Sequence, residues 1–223
     1  AKNGISSWEI HRAIGVTQKT AWFMLQRARL AMQDELTGGM LGGEVEVDET
    51  FIGGKSRNMH ASKRKRLGIN GPAGPATGAK AIVMGMLERN GTVRTKVVED
   101  RSKKSLQGQI KEHVEPGSQL YTDALIAYCG LSDNYAHQII DHAECYVRDN
   151  VHTNGMENFW SLLKRTLGGT YVSVEPFHLF RYLDEQAFRF NNRGPMNDGD
   201  RFVYVMRKIV GKRLTYAELT GKG

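Results

Sequence analysis

Three carboxylates, Asp48, Asp123 and Glu157, each sit in a distinct local pattern. Asp48 closes the alternating run Glu44-Val45-Glu46-Val47, which reads as a strand. Asp123 follows the short apolar run Gln119-Leu120-Tyr121-Thr122, and Glu157 opens a strongly periodic helix from Met156 to Leu167. Two carboxylates at strand ends and one on a helix can converge on divalent cations, because hard ions such as Mg²⁺ take oxygen ligands. Two such ions can clamp the attacking and leaving oxygens of a phosphodiester. The acids therefore predict an enzyme that cuts or joins nucleic acid. A cluster of this kind repels itself unless cations neutralise it, so metal dependence is expected as well.

Each acid also has a plainer role. Asp48 shares one face of its strand with Glu44 and Glu46, and periodicity alone does not select it over Glu46. Asp123 can be only the N-cap of a following helix. Asn154 can cap the helix after it, which would put Glu157 where acids favour the helix dipole. The conjunction of the three carries the case. Lys164 follows Glu157 by seven residues, almost two helical turns, so the two share a face. Met156, Phe159, Trp160, Leu163 and Leu167 form the stripe that docks this helix on a sheet. Lys164 can then reach DNA along the face that carries the carboxylate. His137, His142 and His152 read as surface or structural residues, since two-metal phosphoryl transfer needs no separate protein base. Arg165, Arg189 and Arg193 can contact phosphates, although Arg189 can equally pair with Glu185 one turn away.

The elements that must position these residues follow from local pattern. Ser6 with Glu9 fits a capping box opening a helix over Ser7 to Ile14, which Gly15 ends. Thr17 can cap a longer helix through Met32, with Gln18, Lys19, Gln26, Arg27 and Arg29 expected on its exposed side. Helix, glycine turn and helix match a helix-turn-helix, and an ordinary helical hairpin fits the same spacing. In the first reading Gln18, Lys19 and Thr20 meet base edges. Gly38-Gly39 and Gly42-Gly43 mark a hinge. After the Asp48 strand, residues 55–80 are rich in Gly, Pro and basic residues and read as a mobile loop. Within it Lys63, Arg64, Lys65 and Arg66 form either a solvated linker or a phosphate-contacting arm. Ala81–Leu87 and Thr92–Glu99 read as a hairpin about Arg89-Asn90-Gly91, and Ser102–His113 as a helix. A strand over Gln119–Thr122, a helix near Ala124–Cys129 and a short strand near His137–His142 come next. The last helices are Met156–Leu167, Pro176–Asn191 and Asp200–Val210. This order predicts an α/β fold, a mixed sheet covered by helices on both faces.

The chain has 223 residues, a net charge of +7 and a pI near 9.4, which favours an anionic partner without identifying it. No apolar stretch is long enough to span a bilayer and no signal peptide opens the chain, so no membrane partner and a cytoplasmic, nucleoid-associated location are expected. Cys129 and Cys145 lack metal-ligand or disulfide spacing and read as reduced thiols.

Three segments are specific enough to carry a resemblance: Glu46-Val47-Asp48-Glu49-Thr50-Phe51-Ile52-Gly53-Gly54, Tyr121-Thr122-Asp123, and His152 through Arg165 with its string ENFWSLLKR. They resemble the DDE-type transposases of bacterial insertion sequences, in the ISXO-like branch. The interval of 34 from Asp123 to Glu157 fits that class, as do Gly168-Gly169-Thr170-Tyr171, Arg189-Phe190-Asn191-Asn192-Arg193 and Arg213-Leu214-Thr215-Tyr216. The resemblance implies a ribonuclease H-like fold and DNA transposition with two Mg²⁺ ions, for which Mn²⁺ can substitute. It implies that Asp48 bridges both ions while Asp123 and Glu157 each complete one, and that Lys164 contacts the element end. The branch is described with either Glu or Asn as its third active-site residue. Glu157 and the adjacent Asn158 are thus alternatives, and the carboxylate is the stronger ligand for a hard ion. An upstream zinc ribbon usual in the branch is expected to be missing here. The implied domains are a helix-turn-helix unit over 1–36, a catalytic domain over 37–195 with the basic loop 55–80, and a C-terminal helical extension over 196–223. The implied partner is double-stranded DNA, both terminal repeats and target, bound by a homodimer or larger assembly. Two rivals remain: a DNA-binding regulator whose α/β unit is not catalytic, and a ribonuclease H-type nuclease that cuts without joining.

Overall fold

The alternation from Glu44 onward becomes a nine-residue strand, β1 (Glu44–Ile52), at the centre of a five-stranded sheet. The computed structural model describes residues 3–33, 39–54, 58–66, 80–140 and 152–221. β2 (Ala81–Glu88) runs antiparallel to β1, and β3 (Val93–Val98) antiparallel to β2. On the other side β4 (Gln119–Asp123) lies parallel to β1, and β5 (Ala136–Ile140) parallel to β4. The order β3-β2-β1-β4-β5, antiparallel on one side and parallel on the other, is a ribonuclease H-like arrangement. The hairpin turn works as its residues predict: Asn90 takes a left-handed conformation, and Gly91 N–H donates to the Glu88 carbonyl at 2.9 Å.

Strand parity assigns the two faces. Val45 and Val47 of β1, with Met84 and Met86 of β2, point into a core against Leu106 and Ile110 of α4 (Lys103–His113), Tyr128 and Leu131. Ser102 caps α4. On the opposite face Glu46, Asp48, Gly85 and Leu87 meet the start of a long helix, residues 154–166, through Met156 and Trp160. The expected helix near Ala124–Cys129 is a single 3₁₀ turn, Ile126–Tyr128. β5 starts one residue earlier than expected, and its continuation past Ile140, with His142 and Cys145, lies outside the described residues. Cys129 is a free, exposed thiol.

The chain divides into two compact units, Met40–Trp160, which holds the sheet, and Ala1–Gly39 together with Ser161–Gly223. The boundary between the two units lies at 160/161. In the second unit the predicted caps are present: Ser6 and Glu9 form a capping box on α1 (Ser7–Ile14), and Thr17 caps α2 (Gln18–Met32). After α3 (Ala61–Arg66) in the sheet unit and the helix over 154–166, which is α5, come α6 (Leu179–Asn191), α7 (Asp198–Ile209) and α8 (Tyr216–Thr220). Thr215 opens α8 with a capping box that the sequence reading passed over.

One face of α2 corrects the sequence reading. Gln26 and Arg29, expected in solvent, are buried, Arg29 to 1% exposure. Arg29 Nε donates to Glu185 Oε2 at 2.8 Å, and its guanidinium lies over the Tyr182 ring at 3.9 Å. Glu185 also accepts from Tyr171 and from Arg189, the latter at 2.7 Å, so Arg189 takes its local pairing. Burial opposes the Glu185 charge, but Arg29 and Arg189 overcome it and hold its carboxyl below the usual value. Hydrophobic periodicity cannot reveal a buried cation whose partner lies 156 residues away. No helix among the described residues is long and apolar enough to cross a membrane.

Candidate active site

β1 and β4 run together only as far as the pair Glu46↔Tyr121 and then separate. Asp48 and Asp123 stand two residues further along each strand, so parallel register sets them side by side at the mouth of the split. Oxygens of Asp48, Glu49 and Asp123 all lie within 4.8 Å of one another, the one group of this kind found among the described residues. Asp48 is fixed at both oxygens: Oδ1 accepts from the Glu49 amide at 2.8 Å and Oδ2 from the Trp160 indole at 2.9 Å. Asp123 Oδ1 accepts from the Leu125 amide at 3.1 Å, a local turn contact in place of a helix N-cap.

Burial, more than proximity, sets the protonation of these acids. Burial raises the Asp48 carboxyl above its usual range, against the two hydrogen bonds it accepts, and the charges of Asp123 and Glu157 push the same way. Burial lifts Glu49 to about 7; the Tyr128 hydroxyl opposes this, while Asp123 adds to it. Tyr128 is itself raised well above the ordinary phenol value by burial and by the Glu49 charge.

Glu157 sits in the first turn of α5, on its exposed side, and its charge registers at Asp48. Asn158 is exposed beside it. The helix begins at Asn154, so Asn154 is its first residue and not its cap. The Met156 amide instead donates to Glu46 Oε2 at 3.0 Å, a cap supplied by the sheet. Glu46 is otherwise tied to Arg89, Nε to Oε1 at 3.0 Å, and Arg89 also donates to the His152 carbonyl at 2.9 Å. Periodicity left Glu46 and Asp48 equivalent; their partners separate them. Glu46 is a neutralised structural anchor, and Asp48 is the acid left facing other acids.

Two glycines let the helix come this close. A Cβ at Gly85, the register partner of Asp48, would stand 2.1 Å from Met156 Cε and 2.7 Å from Trp160 Cζ2. One at Gly155 would meet Leu87 Cδ2 at 2.5 Å and Glu46 Oε2 at 2.8 Å. Glu49, Trp160 and Gly85 are the residues that sequence reasoning missed as site components. Glu49 had one visible signal, a carboxylate on the strand parity of Val45 and Val47.

The histidines and basic residues fall as follows. His137 Nε2 lies 2.9 Å from the Thr122 hydroxyl, and burial holds it below its usual value. His152 Nδ1 lies 3.2 Å from Arg89, so His137 and His152 each have a structural partner. Lys164 and Arg165 are exposed on α5. Arg193 lies over the Phe190 ring at 3.6 Å. The basic run, expected in a loop, lies on α3; Lys65 is exposed and Arg64 half-buried, while the side chains of Lys63 and Arg66 and residues 55–57 and 67–79 lie outside the described residues. At the start of α2, Lys19 and Thr20 are exposed, and the Gln18 amide donates to the Ser7 hydroxyl at 2.8 Å.

The donor set fits a hard divalent cation: oxygens only, at least three, within 4.8 Å of one another, and electrostatically costly without a counter-charge. The family model described as ISXO2-like transposase domain matches residues 40–191. An "uncharacterized transposase-like protein" of Haemophilus influenzae is 34% identical over 101 residues, which are 45% of this chain and 81% of that protein. A cryoEM structure of a simian T-cell lymphotropic virus intasome with a PP2A regulatory subunit is 12% identical, with a TM-score of 0.42 over 95% of this chain and 73% of that one.

Proposed function

The chain belongs to the ISXO2-like transposase family, and from this premise we propose that it cuts and joins DNA through Asp48, Asp123 and Glu157. The observation that carries the proposal is the meeting of Asp48 and Asp123 where β1 and β4 separate, with Glu157 in the first turn of the helix whose Trp160 binds Asp48. Trp160 and the Glu49 amide fix both Asp48 oxygens, and Glu46 and Gly155 seat the start of α5, so the acids are held before substrate arrives. Asp48 would be the ligand common to two Mg²⁺ ions, with Asp123 and Glu157 each completing one, and Mn²⁺ serving in their place. When bound, the ions supply Lewis-acid stabilisation of the oxygens entering and leaving at phosphorus. The chain would hydrolyse phosphodiesters at the element ends, and the freed 3′-hydroxyls would then attack target DNA. Lys164 and Arg165, exposed on the helix that carries Glu157, would hold phosphates of the end. Gln18, Lys19 and Thr20, at the start of α2, would read its bases, and Lys63 to Arg66 would add charge along the backbone. Holding two ends at once calls for a homodimer or larger complex on DNA.

The test is cleavage and joining of a duplex bearing the element's ends, with Mg²⁺. Glu157→Gln keeps shape and helix but removes the charge, and should abolish both steps while leaving DNA affinity intact. Asn158→Ala should do much less. The opposite result would move the third residue to Asn158, and two fully active variants would overturn the site.

A further inference from the structure

On β1, Val45 and Val47 are buried in the α4-side core, and the next residue of the same parity is Glu49. A hydrophobic side chain is expected there by pattern. Instead a carboxylate reaches the mouth of the β1–β4 split, and the hydroxyl of the fully buried Tyr128 donates to its Oε1. We propose that Glu49 is a fourth carboxylate ligand of the cation site, anchored from the core side by Tyr128. The inference rests on the cation site of the proposed transposase and adds to it a residue outside the Asp48, Asp123, Glu157 set.

Three lines of geometry carry it. Glu49 offers an oxygen within 4.8 Å of those of both Asp48 and Asp123, a closeness that Glu157 does not share in this structure. Two opposite sheet faces therefore contribute to one point, Asp48 from the α5 face and Glu49 from the α4 face. The bond from Tyr128 occupies Oε1 and leaves Oε2 as the oxygen for a cation. A purely structural residue here would be better as an amide or an aliphatic side chain, because breaking the apolar pattern with a third like charge costs stability for no packing gain. Tyr128 is a positioning residue: it sets the rotamer of Glu49 and shields it from the core.

The measurement is Mn²⁺ binding by isothermal titration calorimetry to the whole chain, with thermal unfolding in chelator and in Mn²⁺. Glu49→Gln should weaken Mn²⁺ by about tenfold or more. It should also raise the melting temperature of the metal-free protein, because a repelling charge has gone, and remove most of the increase that Mn²⁺ gives to the wild type. Tyr128→Phe, which keeps the carboxylate and frees it, should show a smaller loss of affinity. A structural role predicts the reverse: Glu49→Gln would melt lower without metal and keep both its Mn²⁺ affinity and its thermal shift, and this result would overturn the inference. Asp48→Asn separates the two levels. If Asp48→Asn loses Mn²⁺ and Glu49→Gln does not, the proposed site stands and the fourth ligand falls. If the wild type itself takes up no Mn²⁺, both fall.

Discussion

Replacing Gly85 by Ala adds one methyl group at the point where α5 meets the sheet. The new Cβ would stand 2.1 Å from Met156 Cε, 2.7 Å from Trp160 Cζ2 and 2.8 Å from Trp160 Cη2. The methionine end can rotate away. The indole cannot, because its ring is rigid and its Nε1 is bound to Asp48 Oδ2 at 2.9 Å. Overpacking of this kind costs about 1–3 kcal/mol. A hydrogen bond to a charged group adds about 1.5–3 kcal/mol if it is lost. The gain from replacing a strand glycine, roughly 0.5–1 kcal/mol, offsets only part of this. A net loss of about 2–4 kcal/mol should lower the melting temperature by on the order of 10 °C for a chain of this length. Gly108 is the control. It is exposed within α4, and a Cβ there meets nothing within 4 Å, so Gly108→Ala should stabilise by about 0.5–1 kcal/mol through helix propensity. Both variants are followed by circular dichroism on heating, and Mn²⁺ affinity is measured at 25 °C. If Gly85→Ala melts within a degree or two of wild type and binds Mn²⁺ equally well, the helix is not clamped through this contact and the account of Asp48 positioning is wrong.

Stability should also depend on pH in a way that isolates Glu49. Its carboxyl is raised from 4.5 to about 7 by burial, so the folded state holds its proton more tightly than the unfolded state, and stability falls as pH rises across that interval. His113 and His137, held low by burial, act in the opposite sense, so the quantity to follow is the difference between wild type and Glu49→Gln. In chelator, urea unfolding should show wild type losing up to about 3 kcal/mol relative to the variant between pH 5 and pH 8, and parallel curves would refute the burial argument. At the N-terminal helices, replacing Gln18 and Lys19 together by Ala should weaken binding to element ends more than to random duplex, measured by fluorescence anisotropy. Equal loss on both would mean that these residues supply only charge and packing.

Features determined within a few residues were legible from sequence. Ser6 with Glu9, Thr17 and Ser102 each satisfy backbone amides three residues on, so the starts of α1, α2 and α4 follow from side-chain chemistry alone. Asn90-Gly91 turns the hairpin for the same local reason. Where a feature depends on a distant partner, pattern misled. Arg29 reads as a solvated helix residue until Glu185 and two tyrosine rings surround it. The division at 160/161 is invisible in the sequence because it interrupts α5, whose apolar stripe runs on without a break.

The acids of β1 show how far periodicity reaches into the site. Glu44, Glu46 and Asp48 share a face, and nothing in their spacing ranks them. The ranking comes from where each falls along the strand relative to α5. Glu44 meets Tyr121 and Arg89 at the closed end of the split, where the Tyr121 hydroxyl donates to it at 2.7 Å. Glu46 lies under the helix N-terminus and is consumed in capping it. Only Asp48 lies beyond the last β1–β4 pair, where the strand has lost its neighbour and the side chain faces Asp123 across the opening. The landing point of the helix is fixed in turn by two residues with no side chain, Gly85 and Gly155, because any Cβ there would push Trp160 or Leu87 away. An acid becomes a candidate ligand here when its strand separates from the next one and no cation of the protein reaches it first. The first half of that test, position beyond the last β1–β4 pair, also selects Glu49, which periodicity would have assigned to the core.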